Sequence, residues 1–492
     1  MHYSESRNID DDRMDLTDGY VVLGSGLSAV ATVHALLDKK WVKQPKIYVL
    51  DAGINSTSQV QWKNGHKIRM PSPKFNSAQG RYVYDYFHSA LGITEKNFSA
   101  IGSLAKGGLS NIWGATLQPY CKEDLSQFPY CLDQIEDIYA IINSILTNEQ
   151  GNSDDEAGKE STPCLLHRFK TYAPKLAINS KFGGSRRCGL NSCDVGCITC
   201  NRQVYNGALE IEHLNRLGKI KYIPDIFIES VDKRGEFYYL ACEDLVTREK
   251  LTIRTKTIFS CLGTISTTNI VLKMTGTTLK IPFLTTPGGA FFIFSPRKNR
   301  LGKPGILASR GFTGNADGKS FTGNIFPVSR NLLESYFGKV ISSIAELLLG
   351  KWLFPRLFVA NIYFSSDLGE STIENSSEGL VVSGSLKRAR LKRVFREAMN
   401  ITTKNLIKQD LFVLPLSKKL LAYGQDIHYG GTLPMKRNPA KNQCNPIGEL
   451  YGFKGFFVAD SSSMPYLAGK GHSFNSMVNS YYIATNAVEH GY

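Results

Sequence analysis

Apolar residues run without alternation at positions 20–23 and 47–50, the pattern of strands buried on both faces. Between them a Gly24-Ser25-Gly26 turn opens a stretch with helical apolar spacing, and the second run ends on Asp51. A strand, a glycine turn, a helix, a second strand and an acid stand in the order a dinucleotide site requires. Gly24 suits the tight turn, Gly26 lets a pyrophosphate approach the backbone, and Ala29 lets the helix pack close to the strand. Phosphates would sit on the free N–H groups of the helix N-terminus, and Asp51 would accept from the adenosine ribose hydroxyls. The competing reading is a glycine turn with a purely structural role.

The remaining pattern divides the chain. Residues 100–120 form a glycine-rich loop with little periodicity, and 149–162 are polar and acidic, as in a surface loop. Residues 217–262 alternate like strands and end on Gly263, where a helix begins. AFFIF, LFVANIYF and EGLVVSG mark strands between 280 and 425, a part with no nucleotide signature. From 426 the chain returns to glycine and small residues, then to a helix over 473–488. The expected fold is mixed α/β. It comprises a leader over 1–17, a Rossmann-like domain over 18–280, a second sheet-containing domain over 281–425, and a return of the first domain over 426–492.

Composition adds limits. Hydrophobic content of 42% is ordinary for a soluble globular chain. No apolar run reaches the roughly 18 residues of a membrane span; the nearest, 340–364, is broken by Glu346, Lys351, Pro355 and Arg356. The N-terminus is polar and acidic without a signal-peptide core, so the cytoplasm is the expected compartment, with thiols or metal ligands favoured over disulfides.

The net charge of +15 is partly local, with six Lys or Arg residues between 387 and 396. They share a predicted helix with an apolar stripe of Leu391, Val394, Phe395, Ala398 and Met399. Either this is a solvated face, or it docks the protein peripherally on an anionic membrane surface or an acidic partner. No nucleic-acid module accompanies the charge, so nucleic acid is not an expected partner.

Cys188, Cys193, Cys197 and Cys200 place four thiols within 13 residues. Soft thiolates favour zinc or an iron–sulfur cluster, but the spacing matches no standard paired C-x2-C zinc design. Structural thiols and disulfides remain alternatives.

Four ordered blocks carry a family resemblance: the N-terminal glycine turn, the GGLSN loop at 107–111, the strand-rich region ending FSCLGTISTTNIVL, and a tail reading HYGGTLPM at 428–435 and GFFVADSSSMPYLAGKGH at 455–472. Together they resemble the glucose–methanol–choline (GMC) family of flavoprotein oxidoreductases, most weakly over 280–420, where that family's substrate domain would lie. The resemblance implies FAD rather than NAD. Gly24, Gly26, Ala29 and Asp51 would then hold its ADP half, and Ile228 would lie beside the adenine. Gly107, Gly108, Ser110 and Asn111 would wrap the flavin and pyrophosphate, and Asp460 would anchor the ribityl and phosphate region. One branch, resembling pyranose oxidases, links its flavin to a histidine in a Ser-Thr-His-Trp run. Ile112 fills that slot in Ser110-Asn111-Ile112-Trp113, so non-covalent FAD is implied.

Oxidising an alcohol needs a base near neutral pKa, which points to histidine. His428 and His472 fall on the family's active-site positions, one as base and the other orienting the alcohol, with the roles unassigned; Asn475 lies one turn past His472. The implied activity is oxidation of a CH–OH group on a sugar, polyol or lipid-linked alcohol. If the cysteines hold a cluster, the chain would be a dehydrogenase or electron-transfer subunit passing electrons to a protein or quinone acceptor. A non-catalytic flavin-binding interaction protein is the non-enzymatic alternative, and a NAD-dependent dehydrogenase leaves the GGLSN loop and the VADSSSMP tail without a role.

Overall fold

A computed structural model describes residues 13–38, 40–41, 45–55, 58, 81–147, 169–179, 204–301, 307–328, 350, 352–377, 379–385 and 388–492. It is a mixed α/β protein with several sheets. The apolar runs pair directly: Gly19–Leu23 lies between Lys46–Leu50 and Thr257–Ser260, all parallel. Phe456–Val458 and Lys221–Ile223 extend this to a five-stranded parallel sheet. Val21, Val22, Leu23, Val49 and Leu50 are fully buried, as strands covered on both faces demand. Leu23, Leu50, Ser260 and Val458 stand in register, so the segments following them emerge at one carboxyl edge.

Helix Leu27–Leu36 packs against the C-terminal helix Ser473–Glu489, with Ser28 and Ser476 hydroxyls 3.1 Å apart. Ala29 is fully buried on the inner face of the first helix. Thus the last helix of the chain covers the first, although hundreds of residues separate them.

The second large sheet has seven strands and is antiparallel. Gly288–Phe294 pairs with Leu357–Phe364, which pairs with Lys319–Pro327 and then Arg310–Ala316. Lys170–Tyr172 adds at one side, and Phe412–Val413 with Lys419–Leu420 at the other. The basic helix Ala389–Leu406 lies on this sheet and buries Leu391, Val394, Ala398 and Met399. Phe395 presses on Gly289, where an added Cβ would come within 2.3 Å of its ring.

Two separate apolar cores follow, one around the parallel sheet and both ends of the chain, the other between the antiparallel sheet and the basic helix. Each fully buried large apolar side chain contributes roughly 1.5–3 kcal/mol. Among the described residues, no helix is long and apolar enough to cross a membrane.

Candidate active site

The carboxyl edge of the parallel sheet opens into a cavity of about 480 Å³, a size suited to a sizeable organic ligand. Gly24 turns the chain there at φ +95°, and a Cβ on it would lie 2.8 Å from the carbonyl oxygen of Cys261. Both facts require glycine. Gly26 begins the helix with no side-chain cap, and the first turn holds no acidic residue. Its N–H groups therefore present uncompensated partial positive charge.

The GGLSN loop closes over this turn. A Cβ on Gly108 would lie 3.6 Å from the Cα of Gly26, so two bare backbones face each other. Ser25 ties them together: its hydroxyl donates to Asp51 and accepts from Gly107 N at 2.8 Å. Ser110 donates to the Gly107 carbonyl at 2.6 Å and accepts from Gly207 N at 2.9 Å. Asn111 donates to the carbonyls of Lys106 and Gly108 at 2.9 and 2.8 Å, while its own oxygen accepts from Asn206.

Gly24, Gly26, Asp51, Gly108, Ser110, Ile228, Asp460, His428 and His472 line the one cavity. Ala29, Gly107 and Asn111 do not; Ala29 packs the helix, and the other two hold the loop's shape. Asp51 also accepts from Tyr222 at 3.1 Å, and burial pushes its carboxyl up to about 6. Asp460 accepts from Gly263 N at 2.9 Å, Thr267 at 2.6 Å and Ser462 N at 2.8 Å, and burial raises its carboxyl too. It thus fixes the start of helix Thr264–Met274 at the cavity wall.

At the other end, His428 and His472 stand with ring centroids 4.8 Å apart and planes at 73°. Tyr363 packs on His428 at 4.7 Å. Asp426 Oδ2 accepts from both the backbone N–H of Thr286, at 3.1 Å, and its hydroxyl, at 2.9 Å. His428 Nδ1 lies 2.9 Å from the same hydroxyl oxygen. That hydroxyl has one proton. With Asp426 ionised the proton is committed to the carboxylate, so the hydroxyl oxygen accepts from His428 Nδ1–H, and the lone pair is left on Nε2.

Burial pushes Asp426 up to about 7. Burial and the neighbouring His472 hold His428 well below the ordinary histidine range, and burial alone lowers His472 to about 4. Both rings are therefore neutral at neutral pH. Ile427, a β-branched residue beside His428, is held at φ +60°, a conformation costing about 1–3 kcal/mol that clusters at functional sites.

Two buried polar atoms of cavity-lining residues, His472 Nδ1 and Ser266 Oγ, have no hydrogen-bond partner. Such atoms mark where a polar ligand would bond. Asn475 stays out of the cavity wall. Its amide donates to the carbonyls of Gln118 and Gly471 at 2.9 and 3.1 Å, and its oxygen accepts from Tyr120 N at 2.9 Å and the Tyr139 hydroxyl at 2.5 Å. It clasps the turn that carries His472.

Asn324, Asn361 and Tyr363 bring the antiparallel sheet into the cavity wall beside the histidines. Asn361 donates to the Tyr363 hydroxyl at 2.6 Å and accepts from Asn324 N at 2.9 Å. Sequence reasoning missed these residues together with Ser25, Thr286 and Asp426. Only Asp426, two positions before His428, carried a local signal.

Cys188, Cys193, Cys197 and Cys200 lie outside the described residues, as does the acidic loop over 149–162. Among the described residues, no group of three or more His, Cys, Asp or Glu side chains is placed to hold a metal. Cys131, Cys242, Cys261 and Cys444 are free thiols, whereas Cys121 is disulfide-bonded, so the expectation of thiols or metal ligands fails at that position. No family model and no curated protein matches the chain.

Proposed function

We propose that the chain is a GMC-type oxidoreductase that binds FAD non-covalently in a Rossmann-like domain and oxidises a CH–OH group. The observation that carries this reading is the single cavity joining the glycine turn, Asp51 and the GGLSN loop at one end to His428 and His472 at the other. The residues fit the cofactor. An uncapped helix N-terminus and the bare backbones of Gly26 and Gly108 suit a pyrophosphate. Asp51 suits a ribose, and the unpartnered Ser266 Oγ and His472 Nδ1 suit further polar contacts. FAD would supply the two-electron acceptor for the carbinol carbon.

The chain's own residues handle the proton. His428 is the base: its Nδ1–H is spent on Thr286, so Nε2 takes the hydroxyl proton. The Asp426 carboxylate, one hydroxyl away, stabilises the imidazolium that results. His472 is neutral and holds the alcohol oxygen by a hydrogen bond. Tyr363, Asn361 and Asn324 form the wall that positions the rest of the alcohol, whether sugar, polyol or lipid-linked.

The test is an absorbance spectrum of the purified protein, then an anaerobic screen of alcohols that follows bleaching of the flavin band. His428→Ala should slow bleaching by about 10²–10⁴-fold with the pigment retained. A colourless protein that takes up no FAD on reconstitution refutes the proposal.

A further inference from the structure

We propose that the exposed edge of the seven-stranded sheet docks the protein on an anionic lipid surface. Large apolar side chains gather there in the open: Trp352 is 53% exposed, Phe412 and Leu414 38% each, and Leu416 fully. Elsewhere among the described residues such side chains are scattered, as at Leu217, Val246 and Leu279. Single exposed apolar residues are ordinary, whereas a contiguous group marks an interaction site.

The group is contiguous through the sheet. Phe412 lies directly opposite Phe294 in the antiparallel pair, so the two side chains share a face. The Trp352 ring packs on Phe294 at 5.8 Å. Leu414, two residues beyond Phe412, continues that face, and its N–H bonds the carbonyl of Phe292 at 2.9 Å. Leu416 follows in the short helical turn Pro415–Ser417.

Charge identifies the partner. Arg297 and Lys298 follow the strand Gly288–Phe294, Lys404 and Lys408 stand at the end of the basic helix, and Lys418 and Lys419 follow Leu416. Asp410 is the acid among these segments, and it is already engaged by Arg297 at 3.2 Å and Arg300 at 3.4 Å. None of the five lysines forms an ion pair with a described residue. An apolar group rimmed by unpaired lysines is complementary to lipid headgroups of negative charge over an acyl interior.

The arginine-rich start of the basic helix is a different case. Its apolar stripe is turned inward and Arg393 is bonded to Asp317 at 2.7 Å, as in a solvated face. The docking edge also shares a sheet face with the cavity. Phe294, Phe292 and Ala290, at every second position of their strand, share one face, and opposite them stand Leu357, Val359 and Asn361. Ala290, Val359 and Asn361 line the cavity. Resting on the proposed function, this continuity suits an alcohol presented with an apolar tail; the docking itself does not depend on that reading.

The experiment is co-sedimentation of the full chain with phosphatidylglycerol-containing vesicles and with pure phosphatidylcholine vesicles. Binding is expected to the former alone, with a blue shift in emission that Trp352→Phe abolishes. Replacing Lys404, Lys408, Lys418 and Lys419 by glutamine should weaken binding by about 600-fold, since each of the four lysines at an anionic surface is worth roughly fivefold. Phe412→Ser with Leu416→Ser should weaken it at least about tenfold. A control with Arg390, Arg393 and Arg396 changed to glutamine should stay within about twofold of the parent. Circular dichroism melting curves confirm that each variant is folded. Absence of vesicle binding, equal loss in the control, or an unshifted tryptophan emission overturns the proposal. Flavin content and bleaching, measured separately, report on the catalytic reading alone.

Discussion

The proposed chemistry turns on where one proton sits. Thr286 Oγ1 joins Asp426 Oδ2 and His428 Nδ1 at 2.9 Å each, so the ionisation of Asp426 sets the polarity of the chain. When Asp426 is ionised, Thr286 donates to it and His428 keeps its lone pair on Nε2. When Asp426 is protonated, it donates to Thr286, Thr286 donates to Nδ1, and the proton of His428 moves to Nε2, where it blocks the base. Burial pushes Asp426 up to about 7. Alcohol-driven bleaching should therefore rise with pH through about 7, the direction in which the carboxyl loses its proton. His472, lowered to about 4, titrates outside that window. Asp426→Asn should flatten the rise and slow bleaching by about 10²-fold or more, and Thr286→Val should slow it similarly. Because the two act as one unit, the double variant should lose little more than either single one. Full additivity of the two losses, or an unchanged pH limb in Asp426→Asn, would show that the relay is not operating.

The elements differ in how plainly the sequence announces them. The apolar runs 20–23 and 47–50 are continuous because the parallel sheet is covered on both faces, by helix Leu27–Leu36 and by the antiparallel strands between 226 and 255, and Gly24 is demanded by a positive φ; both leave local traces. The basic helix is legible for the same kind of reason, since one stripe of it meets the sheet. Strand Phe412–Val413, two residues long, is set by pairing with Phe294 and is too short for any period to appear. The C-terminal helix shows its apolar spacing, yet the task of Asn475 is hidden, because its partners at Gln118, Tyr120 and Tyr139 lie more than 300 residues away. That clasp fixes the first turn of the helix, and with it His472. Asn475→Ala strips bonds from buried backbone groups and should destabilise the fold by about 1–3 kcal/mol in a urea titration. It should also slow bleaching with the pigment retained. Unchanged stability with a slowed reaction would instead put Asn475 in direct contact with the alcohol.

On the scale of the whole molecule, the parallel sheet is sewn from both ends of the chain: Gly19–Leu23 and Phe456–Val458 flank Thr257–Ser260. The glycine turn and the histidine pair therefore cannot form independently, and one cavity draws its walls from residues 24–28, 101–105, 108–110, 112–116, 261–266, 426–429, 471–473 and 476. The motif residues are legible one segment at a time, because glycine turns and small-residue runs are local. Their convergence is not, and neither is the wall of Asn324, Asn361 and Tyr363, whose strands read only as apolar alternation. A ligand that spans the cavity must tie these segments together. Anything that binds the folded state alone stabilises it by mass action, about 2.7 kcal/mol at a hundredfold excess over the dissociation constant. Adding FAD to pigment-free protein should then slow amide hydrogen exchange at 24–30, 107–112, 263–267, 427–431 and 471–476 together. Exchange at 237–255, in the sheet away from the cavity, should change little. Protection confined to the glycine turn would mean that the nucleotide half binds while the histidine end stays empty. The assignment of His428 and His472 to a flavin site would then fall, even with the parallel sheet and its glycine turn intact.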